Sequence, residues 1–370
     1  MKVKTLAIAM MALSLFACKK QEPKKTEAAV LSLRIDDAQL RAIEAQITGG
    51  TTTTITENVK VIINGGAGRT YTLTPAQIAA AKTEPDGCKL EVTDAVTSVT
   101  LIANAEVTDE TSITTLQEKA GDFQTKIPLT ATATGAQITT TTVGDKTVYK
   151  AELTPTPAFA RLEVFGKIEP TPNANGKKAF ESIEVKAVYI NNYLDKRNDA
   201  KRYFTDHSAS LDGFETATTT ESKPLQGKMY DEIQVADKAK FEAGSKAAAY
   251  QLFPKKNAEN DGNYDHVILK LAIKYSADAQ AKGFSASEVT RYVTIKKFKM
   301  TTDNDLQSFA VGTIYKLNLN GLNSHFNTSL DGTPDPNNPD TTEPESKGSK
   351  ELQLIVKPCT WKAQNILPQL

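Results

Sequence analysis

Histidine, cysteine and tryptophan are scarce in this 370-residue chain, which has three, three and one of them. His207, His266 and His325 stand in unrelated contexts, without the paired spacing that metal ligation needs. Cys88 and Cys359 lie far apart, with neither a CxxC nor a Cys/His arrangement around them. They read as two isolated thiols, a single pairing between them being the alternative in an oxidising compartment. GxSxG, HExxH and phosphate-loop patterns are missing too. Asn64-Gly65-Gly66-Ala67-Gly68 is glycine-rich but has no Lys-Ser/Thr after it, so it reads as a turn between strands. The acidic stretch 335–340 lacks the Gly and terminal Glu of a calcium loop. The sequence therefore predicts no catalytic residue, no metal site and no cofactor. Net charge is also lacking: 44 basic residues balance 44 acidic ones, against the basic excess of a nucleic-acid binder. Aromatics are only 7 %, and the sole tryptophan, Trp361, lies near the C-terminus, so the stacking platforms of a glycan binder are not evident.

What the chain does have begins at its N-terminus. Lys2 and Lys4 precede an apolar stretch, Leu6 to Phe16, too short to span a bilayer as a helix. It ends in Leu15-Phe16-Ala17-Cys18, which resembles the lipobox of bacterial lipoproteins. Residues 1–17 are then a signal peptide, Cys18 is the lipidated residue, and 18–28 form a polar tether. Each acyl CH₂ buried in the membrane would add about 0.8 kcal/mol to the anchor.

Threonine is abundant, in runs such as Thr51 to Thr54 and Thr139 to Thr142. It favours extended backbone while leaving a face wet. Period-two alternation follows throughout: Leu31, Leu33 and Ile35; Val99, Leu101 and Ala103; Ile183, Val185, Ala187 and Tyr189; Val267, Leu269, Leu271, Ile273 and Tyr275; Tyr315, Leu317 and Leu319. Strands with one wet face belong to antiparallel sheets. One helix is predicted after Thr74, with Pro75 at its first position, Gln77 completing a capping box, and Glu84-Pro85-Asp86-Gly87 stopping it. A second, short helix is expected near 112–120.

The expected organisation is all-β: an N-terminal sandwich over residues 29–158, a C-terminal sandwich over 159–332, and a proline-rich linker over 333–350. The linker carries Pro334, Pro336, Pro339 and Pro344 among polar residues and should be extended. Residues 351–370 then form a tail with a new alternating segment, Leu352, Leu354 and Val356. A lone amphipathic strand on a linker needs a sheet to join.

Several of these segments together resemble the type V fimbrillins of Bacteroidales. The lipobox is followed by one alternating strand and a basic residue, Ala29 to Arg41. Phe159-Ala160-Arg161-Leu162-Glu163-Val164 is similar to the opening strand of that family's second domain, and Tyr315 to Leu319 to its last strand. The tail is the closest match, Leu352 to Pro358 with Trp361 after it, although Cys359-Thr360 stand where the family has an aromatic. The resemblance implies two tandem transthyretin-like antiparallel β-sandwiches in a fimbrial shaft subunit that supports adhesion and biofilm formation. It implies a lipidated outer-membrane precursor from which a trypsin-like, Arg-specific protease removes the first strand, residues 29–36. The mature chain then joins an extracellular fimbria. Its partners would be other copies of itself and further fimbrial subunits, linked by strand exchange. A tip subunit of that family lacks a free donor strand and an anchor keeps its lipid, so the tail points to the shaft.

The residues support such an exchange by their own pattern. Leu352, Leu354 and Val356 repeat the alternation of Leu31, Leu33 and Ile35, so the tail can imitate the removed strand. Three such side chains bring roughly 5–9 kcal/mol of burial before ordering costs. The alternative is that 352–356 is an edge strand of its own domain. Arg41-Ala42 is the expected cleavage point, because Arg34 lies inside the alternating segment. The competing function is a monomeric surface lipoprotein that binds glycans or host proteins.

Overall fold

The alternating segments form strands, and their apolar faces close two separate cores. The structure is a computed structural model that describes residues 29–35, 55–113, 127–194, 230–254, 265–326, 335–342 and 352–360, apart from a few single or paired positions within those spans. Cys18, Arg41, Ala42, His207 and most of the second expected helix lie outside the described residues.

The first half runs β1 (Ala29–Ile35), β2 (Lys60–Asn64), β3 (Arg69–Thr72), α1 (Pro75–Thr83), β4 (Cys88–Val92), β5 (Ser98–Ala103), β6 (Leu129–Thr134), β7 (Ile138–Val143), β8 (Lys146–Leu153) and β9 (Thr156–Pro157). One sheet has the order β4-β1-β8-β7 and the other β3-β2-β5-β6-β9. Their inner faces meet in one core. Cys88, Leu90, Val92, Ala151 and Leu153 come from the first sheet, and Val61, Ile63, Val99, Leu101 and Leu129 from the second. The predicted helix is α1. Thr74 caps it, Gln77 N–H donating to Thr74 Oγ1 at 3.3 Å and Thr74 N–H to Gln77 Oε1 at 2.9 Å. Such a cap is worth about 1 kcal/mol. At the glycine-rich turn, Gly65 has φ +130°, and a Cβ there would stand 1.8 Å from the Ala95 carbonyl oxygen, so only glycine fits.

The second half runs β10 (Ala160–Phe165), β11 (Phe180–Asn191), β12 (Tyr230–Glu232), α2 (Val235–Glu242), β13 (Ala248–Leu252), β14 (His266–Tyr275), α3 (Ala277–Gln280), β15 (Val289–Thr301), β16 (Asn304–Asp305), β17 (Thr313–Asn318), β18 (Leu352–Ile355) and β19 (Lys357–Thr360). Its sheets are β13-β10-β17-β19 and β12-β11-β14-β15-β16, with β18 also pairing β15. Leu162, Val164, Tyr250 and Leu317 from one face meet Val185, Leu269, Leu271 and Ile295 from the other. No helix among the described residues is long and apolar enough to cross a membrane.

Among the described residues most pairing is antiparallel, with three parallel exceptions: β1 with β8, β10 with β17 and β15 with β18. The outer face of β14, expected to be wet, is partly covered. Ile268 is buried with Ala187 and Tyr189 against Tyr292. Part of the expected extended linker is docked as well. Arg291 Nε donates to Asp340 Oδ2 at 2.9 Å, Tyr292 and Thr341 exchange both backbone hydrogen bonds, and Asn338 is buried. A charge-assisted bond and a two-bond bridge offset the ordering cost that the composition alone made prohibitive.

The two halves share a seam. Ile102 and Ile113 pack with Phe159, Leu194 and Phe253, and Ile314 of β17 joins the first core. On the same strand row as Ile314 stands Arg161, whose Nε donates to Glu163 Oε1 at 2.9 Å, with both side chains only 2 % exposed. Burial pushes the Glu163 carboxyl up, against the downward pull of Arg161 and Lys316. Burial likewise lowers the Arg161 guanidinium, which Glu163 partly restores.

Candidate strand-exchange site

The site is the position that β1 occupies. First in sequence, it lies inside its sheet, antiparallel to β4 on one side and parallel to β8 on the other. The register sets Leu31 opposite Leu90 and Tyr149, Leu33 opposite Cys88 and Ala151, and Ile35 opposite Leu153. The walls alternate in character. On β4, Cys88, Leu90 and Val92 are buried while Lys89 and Glu91 are exposed. On β8, Ala151 and Leu153 are buried, and Lys150 pairs with Glu152 at 3.3 Å on the outer side. A strand seated here must present apolar groups inward at every second residue and polar groups outward. Cys88 is a free, buried thiol, and that burial raises its pKa.

The second half repeats the arrangement. Its first strand, β10, lies antiparallel to β13 and parallel to β17, as β1 does to β4 and β8. A helix precedes the antiparallel neighbour in both cases, α1 before β4 and α2 before β13. β10 is preceded and followed by described strands, whereas β1 is the first described strand. Arg34 stands in the ladder opposite Glu152, within the strand itself.

The tail forms two strands. Leu352 and Leu354 stand in β18 opposite Ile295 and Phe298 of β15, and Val356 falls outside the described residues. β19 then pairs antiparallel with β17, Cys359 opposite Ile314. β19 thus takes the place beside β17 that β7 takes beside β8 in the first half. Pro358 argues against a ladder and so hides this second strand from pattern reading; on an edge its missing N–H costs nothing. Nor does the pattern mark the Arg161–Glu163 pair, which occupies alternate positions on a side of β10 that looks wet. Among the described residues, no group of three or more His, Cys, Asp or Glu side chains is placed to hold a metal.

No family model and no curated protein matches the chain. Among solved structures it is similar to a fimbrilin of Porphyromonas gingivalis, at 14 % identity over 91 % of this chain and 98 % of that one, with a TM-score of 0.48. It is also similar to two proteins provisionally described as cell adhesion proteins. That of Parabacteroides distasonis is 14 % identical over 91 % of this chain and 100 % of its own, with a TM-score of 0.47. That of Bacteroides eggerthii is 14 % identical over 93 % and 98 %, with a TM-score of 0.44. The solved structures to which this chain is similar are thus Bacteroidales fimbrial and adhesion-type proteins, all at low sequence identity.

Proposed function

We propose that this chain is a shaft subunit of a type V fimbria, exported as a lipoprotein on Cys18, cut after Arg41, and polymerised by strand exchange. Leu352, Leu354 and Val356 of one copy replace Leu31, Leu33 and Ile35 of the next. The observation that carries this is the place of β1. It is the first described strand yet central in its sheet, so its loss would leave two unpaired strand edges and an uncovered apolar row. An incoming strand that ran antiparallel to β4 and parallel to β8 would satisfy both ladders, and its alternate side chains would fill the row. While β1 is attached, its high effective concentration excludes any donor, so cleavage is the switch. The protease would be Arg-specific and trypsin-like, and the lipid would hold the precursor at the outer membrane until that cut.

Limited trypsin treatment of the purified precursor, run on a gel without boiling, tests the reading. A ladder of multiples is expected, and a single monomer band after complete cleavage refutes it. Cys88 supplies a second readout in a chain carrying Cys359→Ser. Its thiol should resist a maleimide before cleavage, react once β1 is gone, and be protected again after polymerisation. Unchanged protection through all three stages would mean that the row never opens.

A further inference from the structure

Among the described residues the strand edges are blunted by charge, proline, burial or irregular register (uncharged β18 has a broken register with β15, and β19 carries Lys357 and Pro358), and β7 is not. Terminal strands that present free backbone groups invite pairing with another chain, and proteins blunt them with charge, proline or irregularity. β3 carries Arg69, β4 Lys89 and Glu91, β9 Pro157, β12 Asp231 and Glu232, and β16 Asp305. β13 has no charge, but most of it is buried. β7, Ile-Thr-Thr-Thr-Thr-Val, has no charge, no proline and no break in its register with β8. It ends its sheet with no further strand beyond it among the described residues. Thr139 to Thr142 are all exposed, and Val143 is 67 % exposed.

We infer that the β7 edge pairs antiparallel with β7 of a second copy of this chain. Three features select that occupant. The segment is uncharged, so two copies meet without the like-charge repulsion that any charged edge would suffer against itself. It is nearly uniform, so reversing its direction changes little: threonine meets threonine. The molecule already contains such a contact, where the exposed Thr100 and Thr132 hydroxyls of β5 and β6 face each other at 3.2 Å. Geometry narrows the register. The β7–β8 ladder closes on Val143 opposite Lys146 with two residues between them, so that pair carries both hydrogen bonds. Alternation then turns the N–H and C=O of Ile138, Thr140 and Thr142 outward. A two-fold axis through Thr140 sets these outward residues against one another, Ile138 opposite the copy's Thr142. The contact is isologous and closes on itself. It uses neither β1 nor the tail, so it is independent of strand exchange; between two polymers it joins them side by side.

The test uses the uncleaved, unlipidated chain carrying Cys18→Ala and Cys359→Ser. With Thr140→Cys added, mild oxidation should give a disulfide-linked dimer. The same chain with Thr132→Cys instead, exposed on the other sheet, should stay monomeric. Adding Thr142→Pro to the Thr140→Cys chain removes an outward N–H without touching the β8 ladder and should abolish the dimer. Adding Thr141→Lys in its place brings charge to the axis and should do the same, through a side chain that is already exposed. No dimer from Thr140→Cys, an equal yield from Thr132→Cys, or a dimer that survives Thr142→Pro or Thr141→Lys would each overturn the inference.

Discussion

Removing either member of the Arg161–Glu163 pair should destabilise the protein, but with different pH dependence. The pair is sealed at the seam between the halves, with both side chains 2 % exposed and Nε 2.9 Å from Oε1. Breaking such a buried pair from one side costs about 3–5 kcal/mol, because a desolvated charge loses the opposite charge at 2.9 Å that compensated it. Glu163→Gln leaves the guanidinium, which cannot release its proton, and removes the raised carboxyl, so its cost should not grow between about pH 5 and about pH 8 and should fall as far as the wild-type carboxyl ionises over that range. Arg161→Met leaves a carboxyl already pushed up by burial and now deprived of its strongest downward influence. That group can escape by taking a proton. Its folded pKa then lies further above the unfolded value near 4.3, and between the two the folded state holds a proton that the unfolded state has released. Stability is therefore fullest below the unfolded pKa and falls as pH rises towards the folded one, by up to about 1.4 kcal/mol per unit. Urea unfolding of both variants and the wild type at the two pH values measures this. If the cost of Arg161→Met does not grow with pH, or Glu163→Gln costs less than about 1 kcal/mol, the pair is not the sealed contact described.

Gly65→Ala should cost about 3 kcal/mol or more in thermal or urea unfolding, from positive φ and a backbone clash with Ala95 together. Cys18→Ala should leave the precursor out of the detergent phase on partitioning. Arg41→Ala should keep β1 in place and prevent polymerisation, and N-terminal sequencing of wild-type polymer should begin at Ala42. Replacing Leu352, Leu354 and Val356 with Asp should leave a folded precursor with a melting temperature near that of the wild type, because β18 and β19 occupy only the edges of β15 and β17. It should also abolish polymer, since each carboxylate buried in the acceptor row costs several kcal/mol; unfolding of the precursor instead would make the tail an integral part of its own domain.

Much of the strand pattern was legible because alternation is a local signal. Val99 to Ala103, Ile183 to Tyr189 and Val267 to Tyr275 read directly as β5, β11 and β14, and the capping box announced α1. The signal failed where position was decided by distant chain. α2 begins after Gln234, whose side chain makes no cap, and buries only Phe241, so nothing local marks it. Arg161, Glu163 and Ile268 sit on faces that pattern alone assigns to water, and only the packing of other segments covers them. The site was half legible. The likeness of 352–356 to 31–35 was plain in sequence, whereas the central place of β1 and the docking of the tail follow from pairings between segments far apart.

The parallel pairing of β1 with β8 and of β10 with β17 also orders events in time. Val30 meets Val148, and Arg161 meets Ile314, so neither small sheet can be completed until nearly all of its half has been synthesised. Contacts between such distant segments carry a large loop-closure cost and form slowly. On the proposed reading of an exported precursor this delay is useful, because the opening strand has no partner on the β8 side until the end of the domain arrives. The arrangement that sets β1 beside β8 therefore makes it late to settle in the nascent protein.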